Sequence, residues 1–310
     1  MTATIEELRP LLLTADQLLG RGLSSQGLSR AVASGELIRL RPGFYVEGEA
    51  RELHRDARHL LSVLATDAAL DSPVFSHSSA ALIHGLPDWG LPLRKVSVTE
   101  HGQISRSRSS KRTTIFTRPI SENDVISING MRVTSAARTV TDLAMSVRRD
   151  AAVVAADAAL ARELVTGDAL DRAMEEMAGR SGVKQARASL SRVDGCSESV
   201  AETLSRLTFA DYGLPEPELQ VEIYDDDGIL VGRVDFLWRE FGLIGECDGF
   251  GKYFDGGDMA EARRRLAREK DRDAALIALG YRVFHWRWKD LENPRLLAER
   301  VRRLLFAVAA

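Results

Sequence analysis

Asp235, Glu246 and Asp248 are the residues whose types and spacing most directly allow chemistry. In a strand over 243–248 the side chains alternate between faces, so Glu246 and Asp248 point one way and Cys247 the other. Asp235, on the strand predicted just before it, can join the two acids. Three carboxylates brought together lose hydration and repel one another, a cost that a divalent cation offsets. Oxygen-only ligands suit Mg²⁺ or Mn²⁺. Lys252, four residues past Asp248, is placed to orient a water or steady a phosphorane. Phosphodiester hydrolysis fits these parts.

The elements that must position these residues are a helix from Ser199 to about Tyr212, strands over 219–224, 230–238 and 243–248, a basic helix over about 259–279, a strand over 281–286 and a closing helix from Pro294. Arg263, Arg264, Arg265 and Arg268 on the basic helix are placed to track a phosphate backbone. His285, between Phe284 and Trp286, is expected in the core, Glu198 at the surface, and Asp225 to Asp227 in a hairpin turn.

The 310 residues carry a net charge of −3, which disfavours nucleic acid only until it is divided by segment. Arg94 to Arg118 holds seven basic residues against one acid, and Glu261 to Arg303 holds thirteen against seven, whereas Glu216 to Asp227 has six acids and no base. Cys196 and Cys247 alone make neither a disulfide framework nor a zinc cluster. With no long apolar run and no basic-then-apolar start, the chain is expected to be cytoplasmic, with no membrane partner.

At the N-terminus, Thr14 and Gln17 have capping-box spacing, Ser24 or Ser25 can cap a second helix running to about Ser34, and a hairpin follows around Pro42-Gly43. Helix, turn, helix and hairpin make a winged helix, a topology that protein–protein modules share. DNA contact is the preferred reading. It puts Ser25, Gln26, Ser29 and Arg30 toward a major groove and Arg39 and Arg41 on phosphates. His77 and His84 are expected as buried or hydrogen-bonded structural residues, and Arg138 and Asp142, four apart, as a helix-surface or packing pair.

Two resemblances bear on these elements. The winged-helix start with its Gly43-Phe44-Tyr45-Val46 end, the stretch Phe75 to Pro87 and the stretch Gly130 to Ala144 resemble the AbiEi-type antitoxins of abortive-infection systems. That resemblance implies a repressor of its own operon, a second domain that counters a cognate toxin, and a toxin–antitoxin or phage-defence setting. Winged-helix repressors often work as homodimers. The last third, with Gly232-Arg233-Val234-Asp235-Phe236, Glu246-Cys247-Asp248-Gly249 and Glu269-Lys270-Asp271-Arg272, resembles the very-short-patch-repair-like branch of the PD-(D/E)XK nucleases. It implies a site in which Glu202 supports the metal or its water, with Gln220, Glu269 and Lys270 as accessory residues. The broad nuclease family has a lysine two residues after the glutamate, where this chain has Asp248. Either Lys252 takes that role or the domain binds DNA without cutting it.

The expected protein is therefore multi-domain α+β: a winged helix over 1–48, a mixed α/β domain over 49–192, and a restriction-endonuclease-like α/β domain over 193–310 in αβββαβα order. The expected function is DNA binding joined to Mg²⁺-dependent endonuclease activity. The alternative is a non-catalytic antitoxin or repressor whose last domain only binds nucleic acid or a toxin.

Overall fold

The computed structural model describes residues 3–102, 106–248 and 259–307, without the side chains of residues 259–263, 265 and 266. It is a mixed α/β protein with two compact units, Met1–Ser191 and Arg192–Ala310.

The first unit begins with α1 (Ile5–Leu8), β1 (Leu13–Thr14), α2 (Ala15–Gly20), α3 (Ser25–Ser34), β2 (Leu37–Arg41) and β3 (Phe44–Glu47). Thr14 caps α2 in a reciprocal box with Gln17, whose backbone N–H donates to the Thr14 hydroxyl at 3.2 Å while its side-chain oxygen accepts from the Thr14 N–H at 2.8 Å. Ser24 rather than Ser25 caps α3, accepting from the Gly27 N–H at 3.0 Å. Gly43 turns β2 into β3 at φ +84°, the left-handed conformation required after Pro42. The three strands pair in the order β1-β3-β2 over Leu13, Leu18, Leu28, Ala31, Leu37 and Tyr45.

The chain continues through α4 (Arg55–Asp67), β4 (Val74–Phe75), α5 (His77–Ile83), β5 (Val96–His101), β6 (Arg106–Ser109), β7 (Thr113–Arg118), β8 (Val125–Ile128) and β9 (Met131–Thr134). Helices α6 (Ala136–Ala144), α7 (Arg149–Ala161), α8 (Gly167–Glu176) and α9 (Val183–Leu190) complete the unit. The six strands pair in the order β6-β7-β5-β4-β9-β8. Ile5, Leu8 and Val46 are buried in the same cluster as Leu60, Leu64, Phe75 and Val133. The boundary expected near residue 48 is therefore no break in packing, because the N-terminal segment helps to form the core under the larger sheet.

The second unit runs α10 (Val200–Asp211), β10 (Glu218–Tyr224), β11 (Leu230–Trp238), β12 (Leu243–Asp248), α11 (Met259–Ala278), β13 (Arg282–Arg287) and α12 (Pro294–Leu305). The sheet order is β10-β11-β12-β13, antiparallel up to β12 and parallel between β12 and β13. One face packs Phe236, Trp238, Leu243 and Trp286 against α10 and α12, and the other packs Val234, Leu237 and Ile244 against Leu276 of α11. Buried on both faces, β12 is apolar apart from its acids, as expected of a central strand. Gly245 is needed here: a Cβ would lie 2.7 Å from the Trp286 ring and 3.0 Å from that of Trp238. The buried indoles keep partners, Trp286 Nε1 donating to Ser205 Oγ and Trp238 Nε1 to the Pro215 carbonyl, each at 2.8 Å.

Candidate functional site

On α3, Leu28 and Ala31 face the core while Ser25, Gln26, Ser29 and Arg30 are all exposed, the 3.6-residue periodicity separating the two sets. Arg39 on β2 is exposed as well. Arg41 departs from the expectation. A bulge between Arg39 and Arg41 breaks the alternation of β2, and Arg41 is half-buried at the edge of a cavity shared with Arg112. Burial first, and the neighbouring Arg112 cation second, lower the pKa of Arg41.

In the second unit, period two holds along β12. Glu246 and Asp248 meet α11, whereas the Cys247 thiol accepts from Ser205 Oγ of α10 at 3.8 Å and is pushed by burial to about 12. That thiol stays protonated and is no nucleophile. Glu246 is buried and pairs with Arg272 at 3.2 Å.

Asp235 lies where β10 and β11 change faces. Leu219 and Phe236, partners across β10 and β11, pack toward α10; Val221 and Val234, partners two residues further along, pack toward α11. Both strands thus exchange faces between these pairs, at Gln220 and Asp235. Gln220 makes the exchange by adopting φ +52°, strained for a non-glycine residue in a strand. Its amide donates to Glu202 Oε2 at 2.8 Å and reaches Asp235 Oδ1 at 3.4 Å. Past the last β11–β12 pair, the Asp235 carboxylate accepts the Cys247 N–H at 2.8 Å. Glu202 is buried, also accepts the Glu198 N–H at 2.9 Å, and has its pKa raised chiefly by burial, with Asp235 adding to the rise.

The acids therefore fall into two groups. Asp235, Gln220 and Glu202 form one hydrogen-bonded chain. The carboxylates of Asp248 and Glu269 and the imidazole of His285 form the other, one ligand atom from each lying within 4.8 Å of the rest. That cluster shares Asp248 with the predicted triple of Asp235, Glu246 and Asp248 and adds Glu269 and His285. His285 was expected in the core, but alternation along β13 sends it away from Phe284 and Trp286, toward the acids. Its Nε2 is 2.9 Å from Asp273 Oδ2 and its Nδ1 3.7 Å from Asp248 Oδ1. The neighbouring Asp248 carboxylate foremost, with Asp273 adding to it against burial, raises its pKa to about 9.

Two carboxylates and an imidazole can hold a divalent cation, and this mixed set suits Mn²⁺ better than Mg²⁺. The imidazole must lose its proton to bind. Lys252 lies outside the described residues. Lys270 is exposed beside Glu269, and Arg264 and Arg268 are exposed on the same helix.

Sequence reasoning also missed a buried charge network in the first unit. Arg138 donates to Asp142 at 3.1 Å, to Asp124 at 3.2 Å and to the Pro119 carbonyl at 3.2 Å; the side chains of Arg138 and Asp142 are each 1% exposed. His77 stacks on Phe116 at 3.7 Å with φ +50° and is held near a pKa of about 4, mainly by burial. His84 Nε2 donates to the Thr134 carbonyl at 2.8 Å, a structural role.

Residues 5–48 match the family described as "Transcriptional regulator, AbiEi antitoxin". Over 292 residues the chain is 30% identical to "Uncharacterized protein Rv2248" of Mycobacterium tuberculosis strain ATCC 25618 / H37Rv, covering 91% of this chain and 97% of the relative. It is similar to the same extent to "Uncharacterized protein MT2308" of strain CDC 1551 / Oshkosh. The chain belongs to the family of these two mycobacterial proteins. At this coverage the Rv2248 family shares both units. The shorter AbiEi match spans α1 to the end of β3 and includes Ser25, Gln26, Ser29, Arg30, Arg39 and Arg41. Among the described residues, no helix is long and apolar enough to cross a membrane.

Proposed function

We propose that this member of the Rv2248 family is a DNA-binding transcriptional regulator of the AbiEi antitoxin kind, acting in the cytoplasm. The observation that carries this reading is the regulator-family match over residues 5–48, within which α3 exposes a polar face of Ser25, Gln26, Ser29 and Arg30. In this reading α3 lies in a major groove and Arg39 meets a phosphate, while a cognate toxin is the protein partner and a homodimer reads paired half-sites. Duplex DNA from upstream of the chain's own gene is expected to shift at low salt, and Arg30→Ala to weaken that binding by roughly 1–3 kcal/mol. Absence of any shift at low salt would overturn it.

A second reading, metal-dependent phosphodiester cleavage by the last unit, is favoured by the cluster of Asp248, Glu269 and His285. The ion would be Mn²⁺ or Mg²⁺, supplying charge neutralisation on a phosphodiester. Asp248, Glu269 and His285 would hold it and Glu246 would flank it. Glu202, Gln220 and Asp235 would brace the adjoining strands, and Lys252 would orient water. Mn²⁺ is expected to release a proton on binding at pH 7, since His285 is protonated there, and to raise the melting temperature. Asp248→Asn should abolish both effects, together with any nicking of plasmid DNA. An unchanged melting temperature in millimolar Mn²⁺ would remove the metal, and no nicking in either Mn²⁺ or Mg²⁺ would remove the cutter.

A further inference from the structure

The basic block Arg94 to Arg118 has no part in the reading above, and three of its basic residues converge on one cavity with Arg41 of the wing. This cavity, of about 140 Å³, lies within the first unit and is lined by Arg41, Arg94, Lys111 and Arg112 together with Ser62 and Thr66 of α4. Among the described residues, four cations line it and no carboxylate does. Arg112 Nη1 donates to the Leu40 carbonyl, which fixes its guanidinium against β2. Arg41 Nη1 is shielded from solvent and, among the described residues, has no hydrogen-bond partner. A buried guanidinium nitrogen left without an acceptor, beside a second guanidinium, is costly unless an anion completes the site.

The remaining polar groups narrow the ligand. The Ser62 hydroxyl donates to the Arg58 carbonyl and the Thr66 hydroxyl to the Ser62 carbonyl. Both nitrogens of His59, which also borders the cavity, are engaged, with Ser79 and with the Leu93 carbonyl. The open donors are therefore cationic, arginine forks and a lysine ammonium, which match a tetrahedral oxyanion. The volume is well under the roughly 300–1,000 Å³ of pockets that enclose small organic ligands, so it suits a single phosphoryl group rather than a nucleoside.

We propose that this cavity is a phosphate-binding site, in which Arg41, Arg94, Lys111 and Arg112 hold one phosphate group at the base of the wing. The site goes beyond the DNA-groove reading of α3 and does not need it, since a free phosphate would bind even if α3 contacted no base. Phosphate held there would tie the end of β2 to the start of β7. Arg41 would then support the wing through the bound phosphate.

The test uses the full chain with inorganic phosphate as the probe, against chloride at matched ionic strength. Thermal melting and calorimetry should show saturable stabilisation. The double variant Arg94→Ala/Lys111→Ala, which alters exposed side chains, should fold normally yet bind phosphate at least about tenfold more weakly, the loss expected for charge-assisted hydrogen bonds. Arg295→Ala, an exposed arginine of α12, should leave phosphate binding unchanged.

A duplex-DNA arm separates the sources. If phosphate competes with duplex and the double variant weakens both, the natural occupant is a backbone phosphate. If only phosphate binding weakens, it is a free phosphate. Saturable phosphate binding that the double variant leaves intact, or no saturable binding by the wild-type chain, overturns the proposal.

Discussion

Arg138→Met is expected to cost the first unit about 3–5 kcal/mol, the usual effect of removing one member of a buried, hydrogen-bonded ion pair. Arg138 supplies three hydrogen bonds from a side chain that is 1% exposed, and its loss leaves Asp142, equally buried, without its cation. Among the described residues Asp142 Oδ1 has no hydrogen-bond partner even in the intact protein, so only the neighbouring Arg118 cation remains to offset part of the stranded charge. Amide exchange in α6 and β9 should accelerate by two orders of magnitude or more, since each ~1.4 kcal/mol is a factor of ten. The double variant Arg138→Met/Asp142→Leu should recover much of the loss, because it removes the unpaired charge together with its partner. A single variant that costs under about 1 kcal/mol would mean that the pair is not buried as described.

His77 makes the stability of the same unit depend on pH. Burial, seconded by Arg118 and Arg138 and opposed by Asp142, holds its folded pKa at about 4 against an ordinary value of 6.5. The unfolded chain therefore binds the proton first. Stability is complete above about pH 6.5, falls as the pH drops toward 4, and levels off below that, with a total change on the order of 3 kcal/mol. His59 and His84, whose pKa values burial also lowers, act in the same direction, so the difference between wild type and a His77 variant isolates this residue. Asn tolerates the left-handed backbone at this position, and His77→Asn should have a shallower acid limb in urea melts at pH 7 and pH 4.5. Identical pH dependence in both proteins would contradict the buried neutral imidazole. His285 runs the opposite way: its raised pKa means that its stabilisation is complete below about pH 6.5 and is lost as pH rises through about 9.

What was legible in the sequence was local. Thr14 with Gln17, Ser24 before α3, and Pro42-Gly43 act through neighbours three residues away or fewer, so their spacing carries their geometry. Period two likewise put Glu246 and Asp248 on one face of β12 and Cys247 on the other. What the sequence did not display lies where strands depart from period two. The bulge in β2 turns Arg41 into the cavity it shares with Arg112, and the left-handed Gln220 brings Asp235 into the hydrogen-bonded chain with Glu202. His285 was obscured by its aromatic flanks, although the same alternation rule would have placed it opposite them. Arg138 and Asp142 had the right spacing, but their burial depends on Asp124 and Pro119, brought in by the fold.

The central claim is that the N-terminal segment reads DNA, and the salt dependence of binding to the chain's own upstream duplex tests it most directly. Fluorescence anisotropy from 50 to 200 mM salt should give a straight line in log K against log salt. Arg39→Ala should lower the magnitude of its slope by about 1 and weaken binding uniformly across sequences, whereas Arg30→Ala should chiefly erode preference for the upstream sequence over unrelated DNA. Binding that ignores salt, or that neither variant changes, would contradict the account.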